Sequence, residues 1–308
     1  MAPPKLPIMT FVDYVMEADR HGFDEVWFAE DCFLKGGMTQ AAVALSSTSR
    51  IVVGVGILPA GARNVAFAAL EIAFLANLYP ERLMVGIGHG MADWMRQVGA
   101  HPSSPLTLLQ EYLQTLRALL AGETVTFSGR HVQLSKVRLD EPPASVPPVL
   151  AGVRGPKSLA LSGQHADGTI LAEPVTPEYL AFARRNISAG TGHRIVAYNL
   201  AAVHEDADVA RSQVRPALAV VGQPAWAPHI KPLEFADELT ALSRNSAGPV
   251  EFAQRLRKEW VDQLAIVGTP SLARTRLRQL HGAGADHLVM TPTGFDAVAA
   301  LDNLSRVR

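Results

Sequence analysis

Thiols are almost absent: Cys32 is the single cysteine in 308 residues. An intrachain disulfide and any metal or cluster site built on several cysteines are therefore excluded, and a reducing cytoplasm is the expected location. Charge is sparse and balanced, with 19% charged residues and a formal net charge of −1. The sequence thus lacks the basic footprint that marks binders of nucleic acid or anionic membrane. It has no run of about eighteen apolar residues that would suggest a spanning helix. The start MAPPKLPIMTF lacks the charged and apolar regions of a signal peptide. Internal repeats and low-complexity segments are also missing. What remains is a globular protein with a small-molecule partner and neither a nucleic-acid nor a membrane role.

The sequence is rich in core formers, with 48% hydrophobic residues, and a chain of this length fits one α/β barrel. A single domain over 1–308 is expected. Arg50 to Gly90 reads as an apolar strand broken at Gly54, Gly56 and Pro59, a helix from Asn64 to Leu78, and a second strand ending in glycine. Strand, helix and strand in close succession form a parallel crossover unit. Before it, Thr10 can cap a helix reaching His21, with Val12, Val15, Met16 and Ala18 as its buried stripe, and EVWFA follows as a strand. After it, Ser104 and Pro105 open a helix to Leu120, and residues 124–139 alternate as a hairpin. Strand candidates begin at Glu25, Ile51, Leu83, Val149, Thr169, Arg194 and His287.

This alternation points to an α/β fold, a TIM-like (β/α)8 barrel with a short or degenerate first strand. The segment before Thr10 carries prolines at 3, 4 and 7, so a late start or closure by an irregular segment both stay open. Residues 205–264 hold helix-like signals broken by prolines and read as a helical insertion or lid.

Sites in parallel barrels form at the C-terminal strand ends. There the sequence offers Glu30, Asp31 and Cys32; Gly54 to Pro59; Gly86 to Gly90; Gly152 to Lys157; Ala172 and Glu173; and Thr291 with Pro292. Glu30 and Asp31 can supply an acid or base, or can cap the next helix. Cys32 is either a ligand contact or a small buried residue. Arg63 and Asn64 can cap a helix or line the pocket. The loop GVRGPKS enters a helix with Pro156 at its start and with Arg154 and Lys157 nearby, the physical recipe for a phosphate site. VGIGHG is no dinucleotide fingerprint, because its sixth position and the distant acidic residue are not in place. His89 between two glycines can titrate beside a ligand near neutral pH or sit in an exposed loop. The other histidines lack metal spacing, and no nucleophile elbow occurs.

EVWFAED, RIVVGVGILP, LYPERLMVGIGHG, LAGVRGPKSLALSGQHADGTILAE and IVGTP together resemble the bacterial luciferase-like flavin and deazaflavin oxidoreductases. The likeness covers most of residues 10–204 and about 265–292, and is greatest to the methylenetetrahydromethanopterin reductase and deazaflavin-dependent dehydrogenase branch. The resemblance implies a TIM-like barrel with an insertion, binding coenzyme F420 or FMN at its C-terminal face, and commonly a homodimer. It implies a bulge with a non-prolyl cis peptide behind the ring near Val55, Gly56 and Ile57, with Gly54 easing the backbone and Gly88 and His89 beside the ring. Gly152, Val153, Arg154, Gly155, Pro156 and Lys157 match the phosphate site, with Ala172 and Glu173 next to it and Asp31 and Cys32 near the ring. Many deazaflavin-dependent relatives carry histidine where this chain has Cys32, which leaves Glu30 or His89 as the expected catalytic proton donor. The implied activity is hydride transfer between deazaflavin C5 and a small organic substrate. A two-component FMN monooxygenase, a non-catalytic flavin-binding barrel and a sugar-phosphate isomerase are the alternatives.

Overall fold

Short apolar runs rich in branched residues are buried on both faces when helices cover a parallel sheet, and the strands follow those runs. In the computed structural model, which describes residues 1–294 and 296–307, they are β1 (Glu25–Phe28), β2 (Val52–Pro59), β3 (Leu83–Gly88), β4 (Val125–Ser128), β5 (Gln133–Val137), β6 (Val149–Gly152), β7 (Gly168–Leu171), β8 (Arg194–Val203), β9 (Ile266–Gly268) and β10 (His287–Pro292). The parallel sheet runs β1-β2-β3-β6-β7-β8-β10, β9 pairs with the end of β8, and β4 and β5 form a separate antiparallel hairpin. The result is a nearly closed TIM-like barrel. Between β10 and β1 the place of a first strand is taken by Met1 and Ala2. The Met1 amino group donates to the Met290 carbonyl at 2.6 Å and the Ala2 amide to the Trp27 carbonyl at 2.9 Å. Burial drives the Met1 amine down to about 5, against the pull of Glu25.

The helices that position the site are α1 (Phe11–Arg20), α2 (Gly37–Ser47), α3 (Val65–Leu78), α4 (Ala92–Gln97), α5 (Pro105–Leu120), α6 (Pro156–His165) and α7 (Pro177–Ile187). Asn64 caps α3 by accepting from the Ala66 amide, and Thr176 caps α7 by accepting from that of Tyr179. Thr10 does not cap α1; its hydroxyl donates instead to the Pro7 carbonyl in a preceding turn. The buried stripe of α1 is Phe11, Tyr14, Val15 and Ala18, while Val12 and Met16 face outward. Three elements lay outside the sequence reading: α4, the strand β9, and a helix Ala297–Ser305 capped by Asp296. Among the described residues no helix is long and apolar enough to cross a membrane.

One core lies between sheet and helices; a second fills the barrel with Trp27, Met84, Leu150, Ile170, Val196, Tyr198 and Val289. Residues 207–264 form several helical turns that pack a third cluster over Leu200 and Ala202 at the far end of β8. At the opposite end of the barrel, His287 Nδ1 bonds Glu25 Oε1, and Glu25 Oε2 accepts from Trp27 Nε1 at 2.8 Å. The hydrogen bond to Glu25 raises the His287 pKa against the effect of burial. A raised folded value means that this stabilisation is fully present below the unfolded value of about 6.5 and is lost as pH rises through the folded one. His287→Gln is therefore expected to cost about 2 kcal/mol at pH 6, with the difference shrinking in alkaline buffer. Urea unfolding across pH measures this, and a difference that grows with pH contradicts the assignment.

Candidate active site

The pairing of β2 with β3 shifts register between Val55 and Leu58. A bulge re-aims the side chains that follow it, and here it turns Ile57 into the barrel mouth. The Gly56–Ile57 peptide within it is cis, at the position the resemblance indicated. A Cβ at Gly88 would lie 3.0 Å from Ile57, and one at Gly152 2.3 Å from it. The inward glycines of β3 and β6 thus admit the Ile57 side chain, which forms an apolar shelf at the C-terminal end. Gly54 lies deeper, where a Cβ would come within 2.2 Å of the Trp27 ring. Gly54 therefore serves packing against Trp27. Below the shelf Tyr198 crosses the barrel, edge-on to Trp27 at 5.7 Å. Its hydroxyl ends against Gly56 and has no hydrogen-bond partner among the described residues.

At the end of β6, Gly152, Val153, Arg154 and Gly155 lead into α6. This helix starts at Pro156 without a side-chain cap, and a Cβ at Gly155 would meet nothing within 4 Å. Its N-terminus is thus open and positively polarised, with Lys157 exposed beside it. Arg154 is turned elsewhere. Its Nη1 donates to the Ala225 carbonyl at 3.1 Å and its guanidinium lies 5.0 Å from the Trp226 ring centre. In this structure Arg154 therefore ties the loop to the helical segment.

The two residues expected to donate protons are both engaged. Glu30 Oε2 accepts from the Gly37 amide at 2.7 Å and from Arg63 Nη2 at 2.9 Å, so it holds the start of α2 and pairs with Arg63. His89 Nε2 meets Ser158 Oγ at 3.1 Å, and burial lowers its pKa while the Pro105 carbonyl opposes this. It acts as a strut between β3 and α6. Asp31 and Glu173 differ: burial raises the pKa of each, and the Asp31 charge adds to the rise at Glu173 while Arg154 opposes it. Burial and then the charges of Glu30 and Asp31 push the Cys32 thiol up, and Cys32 and Ala172 are half-buried at the rim.

Tyr198, Trp226 and His229 lay outside the sequence reading. Trp226 Nε1 donates to the Glu173 carbonyl at 2.9 Å. His229 is fully buried, its ring 4.2 Å from that of Tyr179 and its Nδ1 3.2 Å from the Pro174 carbonyl. Burial and then the Arg154 charge take His229 down to about 3, so its ring is neutral at ordinary pH. The polar Tyr198 within the apolar strand HRIVAYNLAAV was the one sequence signal for these positions.

Comparison with known proteins adds to this geometry. The family described as luciferase-like monooxygenase matches residues 2–287. A 5,10-methylenetetrahydromethanopterin reductase of Methanolobus tindarius is 27% identical over 299 residues, covering 93% of this chain and 91% of the relative. An F420-dependent glucose-6-phosphate dehydrogenase of Nocardia farcinica is 25% identical over 323 residues, covering 96% and 91%. Among solved structures, the coenzyme F420-dependent tetrahydromethanopterin reductase of Methanopyrus kandleri superposes with a TM-score of 0.82 at 19% identity, covering 99% of this chain and 95% of that one.

Proposed function

The chain belongs to the luciferase-like monooxygenase family, and from that premise we propose that it is a cytoplasmic oxidoreductase dependent on coenzyme F420. It moves a hydride between the deazaflavin C5 and a small organic substrate. The observation that carries this reading is the pairing of an apolar shelf at Ile57 with an open helix N-terminus at Gly155, both at the C-terminal mouth of the barrel. The relatives named for F420 support the choice of cofactor. When bound, that cofactor supplies the hydride chemistry.

The rest falls to the chain's own side chains. Ile57 and the Gly56 backbone would back the ring, while the Val55 side chain packs away from it against the start of α2; Gly88 and Gly152 leave room for Ile57, and Gly155, Pro156 and Lys157 would receive phosphate at the α6 N-terminus. Asp31, Cys32, Val153, Ala172 and Glu173 line the rim. Glu30 and Arg63 fix the first βα loop, and His89 fixes the third. Anaerobic fluorescence titration tests the assignment: micromolar F420 binding without comparable FMNH2 binding is expected. The reverse would indicate a two-component FMN monooxygenase, and tight binding without turnover of any substrate a cofactor-holding barrel.

The proposed assembly is a homodimer. On α3, Phe67, Leu70, Phe74 and Leu78 recur at helical spacing and are 67%, 53%, 64% and 56% exposed, an apolar stripe of a kind monomers rarely leave uncovered. Replacing Phe67 and Phe74 together by glutamate is expected to give a folded monomer in analytical ultracentrifugation. An unchanged sedimentation coefficient would argue against α3 as the interface.

A further inference from the structure

We propose that Arg154 is a latch with two seats: it holds a strap of residues 222–229 against the barrel until a phosphate-bearing ligand enters at Gly155, and its transfer to that phosphate frees the strap. This rests on the phosphate place proposed above and adds how its occupancy reaches the helical segment. Both ends of the strap are fixed. At one end the Gly222 carbonyl accepts from Ser243 Oγ at 2.9 Å. At the other, buried His229 has its Nδ1 3.2 Å from the Pro174 carbonyl and its ring 4.2 Å from that of Tyr179. Between them Gln223, Pro224, Ala225 and Ala227 are exposed, and the prolines at 224 and 228 have no amide hydrogen to hold the span. Two side-chain hydrogen bonds fasten its middle to the barrel. Arg154 Nη1 donates to the Ala225 carbonyl at 3.1 Å, and Trp226 Nε1 to the Glu173 carbonyl at 2.9 Å. The Trp226 ring packs against the apolar cluster of the helical segment, so it belongs to the strap, whereas Arg154 belongs to the barrel.

The present seat of Arg154 is a weak one for a guanidinium. Its hydrogen bond goes to a neutral carbonyl, and its face lies 5.0 Å from the centre of an uncharged indole ring. A phosphate offers charge-assisted, bidentate bonds that the planar fork matches, and these are the stronger kind. The second seat is also near. Arg154 directly precedes Gly155, the N-cap of α6, whose surroundings are open. The transfer needs no movement of the loop itself, because Tyr179 Oη donates to the Arg154 carbonyl at 3.1 Å and pins its backbone. Only the side chain changes direction.

The two partners of the latch then act on binding with opposite signs. Weakening the strap side lowers the cost of releasing Arg154, so a ligand binds more tightly. Removing Arg154 frees the strap as well, but it also takes away the phosphate's partner, so binding weakens. A contact that only stabilised the mouth would lower affinity from either side.

The test measures hydrogen–deuterium exchange over residues 222–229 and F420 affinity in the full chain and in its Arg154→Met, Arg154→Lys and Trp226→Phe variants. In ligand-free protein the strap is expected to exchange about tenfold faster in Arg154→Met than in the wild type. F420 is expected to raise the wild-type rate towards that level, and inorganic phosphate to raise it in part when compared with chloride at equal ionic strength. Affinity for F420 is expected to fall about tenfold in Arg154→Met, with partial recovery in Arg154→Lys, and to rise about threefold in Trp226→Phe. Equal strap exchange in the wild type and Arg154→Met would overturn the proposal. So would a strap that neither ligand accelerates, or weaker F420 binding in Trp226→Phe. Acceleration by inorganic phosphate in a protein that does not bind F420 would instead sink the oxidoreductase reading and leave the latch standing.

Discussion

Gly56→Ala is expected to cost about 3 kcal/mol of stability and to abolish measurable cofactor binding. A Cβ there would lie 2.0 Å from Tyr198 Oη and 3.1 Å from its Cζ. Tyr198 has little room to retreat, because its ring is packed edge-on against Trp27 and only 4% of the residue is exposed. The strain therefore falls on the bulge that presents Ile57. Tyr198→Phe alone is expected to be neutral or mildly stabilising, since it removes a buried hydroxyl without a partner. In the double variant the closest remaining contact is one of 3.1 Å, so most of the lost stability should return. A chemical-denaturation double-mutant cycle measures this coupling. Strictly additive effects would mean that Tyr198 does not confine Gly56.

Gly155→Asp is expected to act in opposite directions on stability and on binding. The residue is the N-cap of α6, has extended backbone at φ −91°, and faces open space. Aspartate fits there and can accept from the uncapped first turn, adding about 0.5 kcal/mol to stability. The same carboxylate would occupy the place proposed for the phosphate and repel it. Cofactor affinity is expected to fall about a hundredfold, a difference near 3 kcal/mol, while the thermal midpoint rises. Lys157→Ala should weaken binding by less and reduce its dependence on salt. Should Gly155→Asp bind F420 as tightly as the wild type, phosphate is held elsewhere.

Local sequence signals determine much of this architecture. Pro105 and Pro156 mark helix starts because their missing N–H costs nothing at a first helical position, and α5 and α6 begin there. The β2–α3–β3 unit was legible because apolar runs and a glycine-proline break alternate within one stretch. Three-residue β9 was not, since so short a run carries no period. The roles of the site's side chains were least legible, because the partners lie far along the chain. Arg63 stands 33 residues from Glu30, and Ser158 stands 69 from His89. Both would-be proton donors are bound by these distant groups. The inward glycines suggested backbone open to a ligand, but the space before Gly54, Gly86 and Gly152 is filled by Trp27, Ile170 and Ile57 from other strands. What remained visible at Gly155 was a glycine whose surroundings are open.

The central claim is that the redox ring lies on the Ile57 shelf with its phosphate at the start of α6. A crystal structure of the protein with F420 tests it most directly. The predicted result is a ring stacked on the Gly56–Ile57 bulge, with phosphate oxygens on the amides after Pro156 and Lys157 beside them. A ring bound away from Ile57, or a phosphate held away from Gly155, would contradict it.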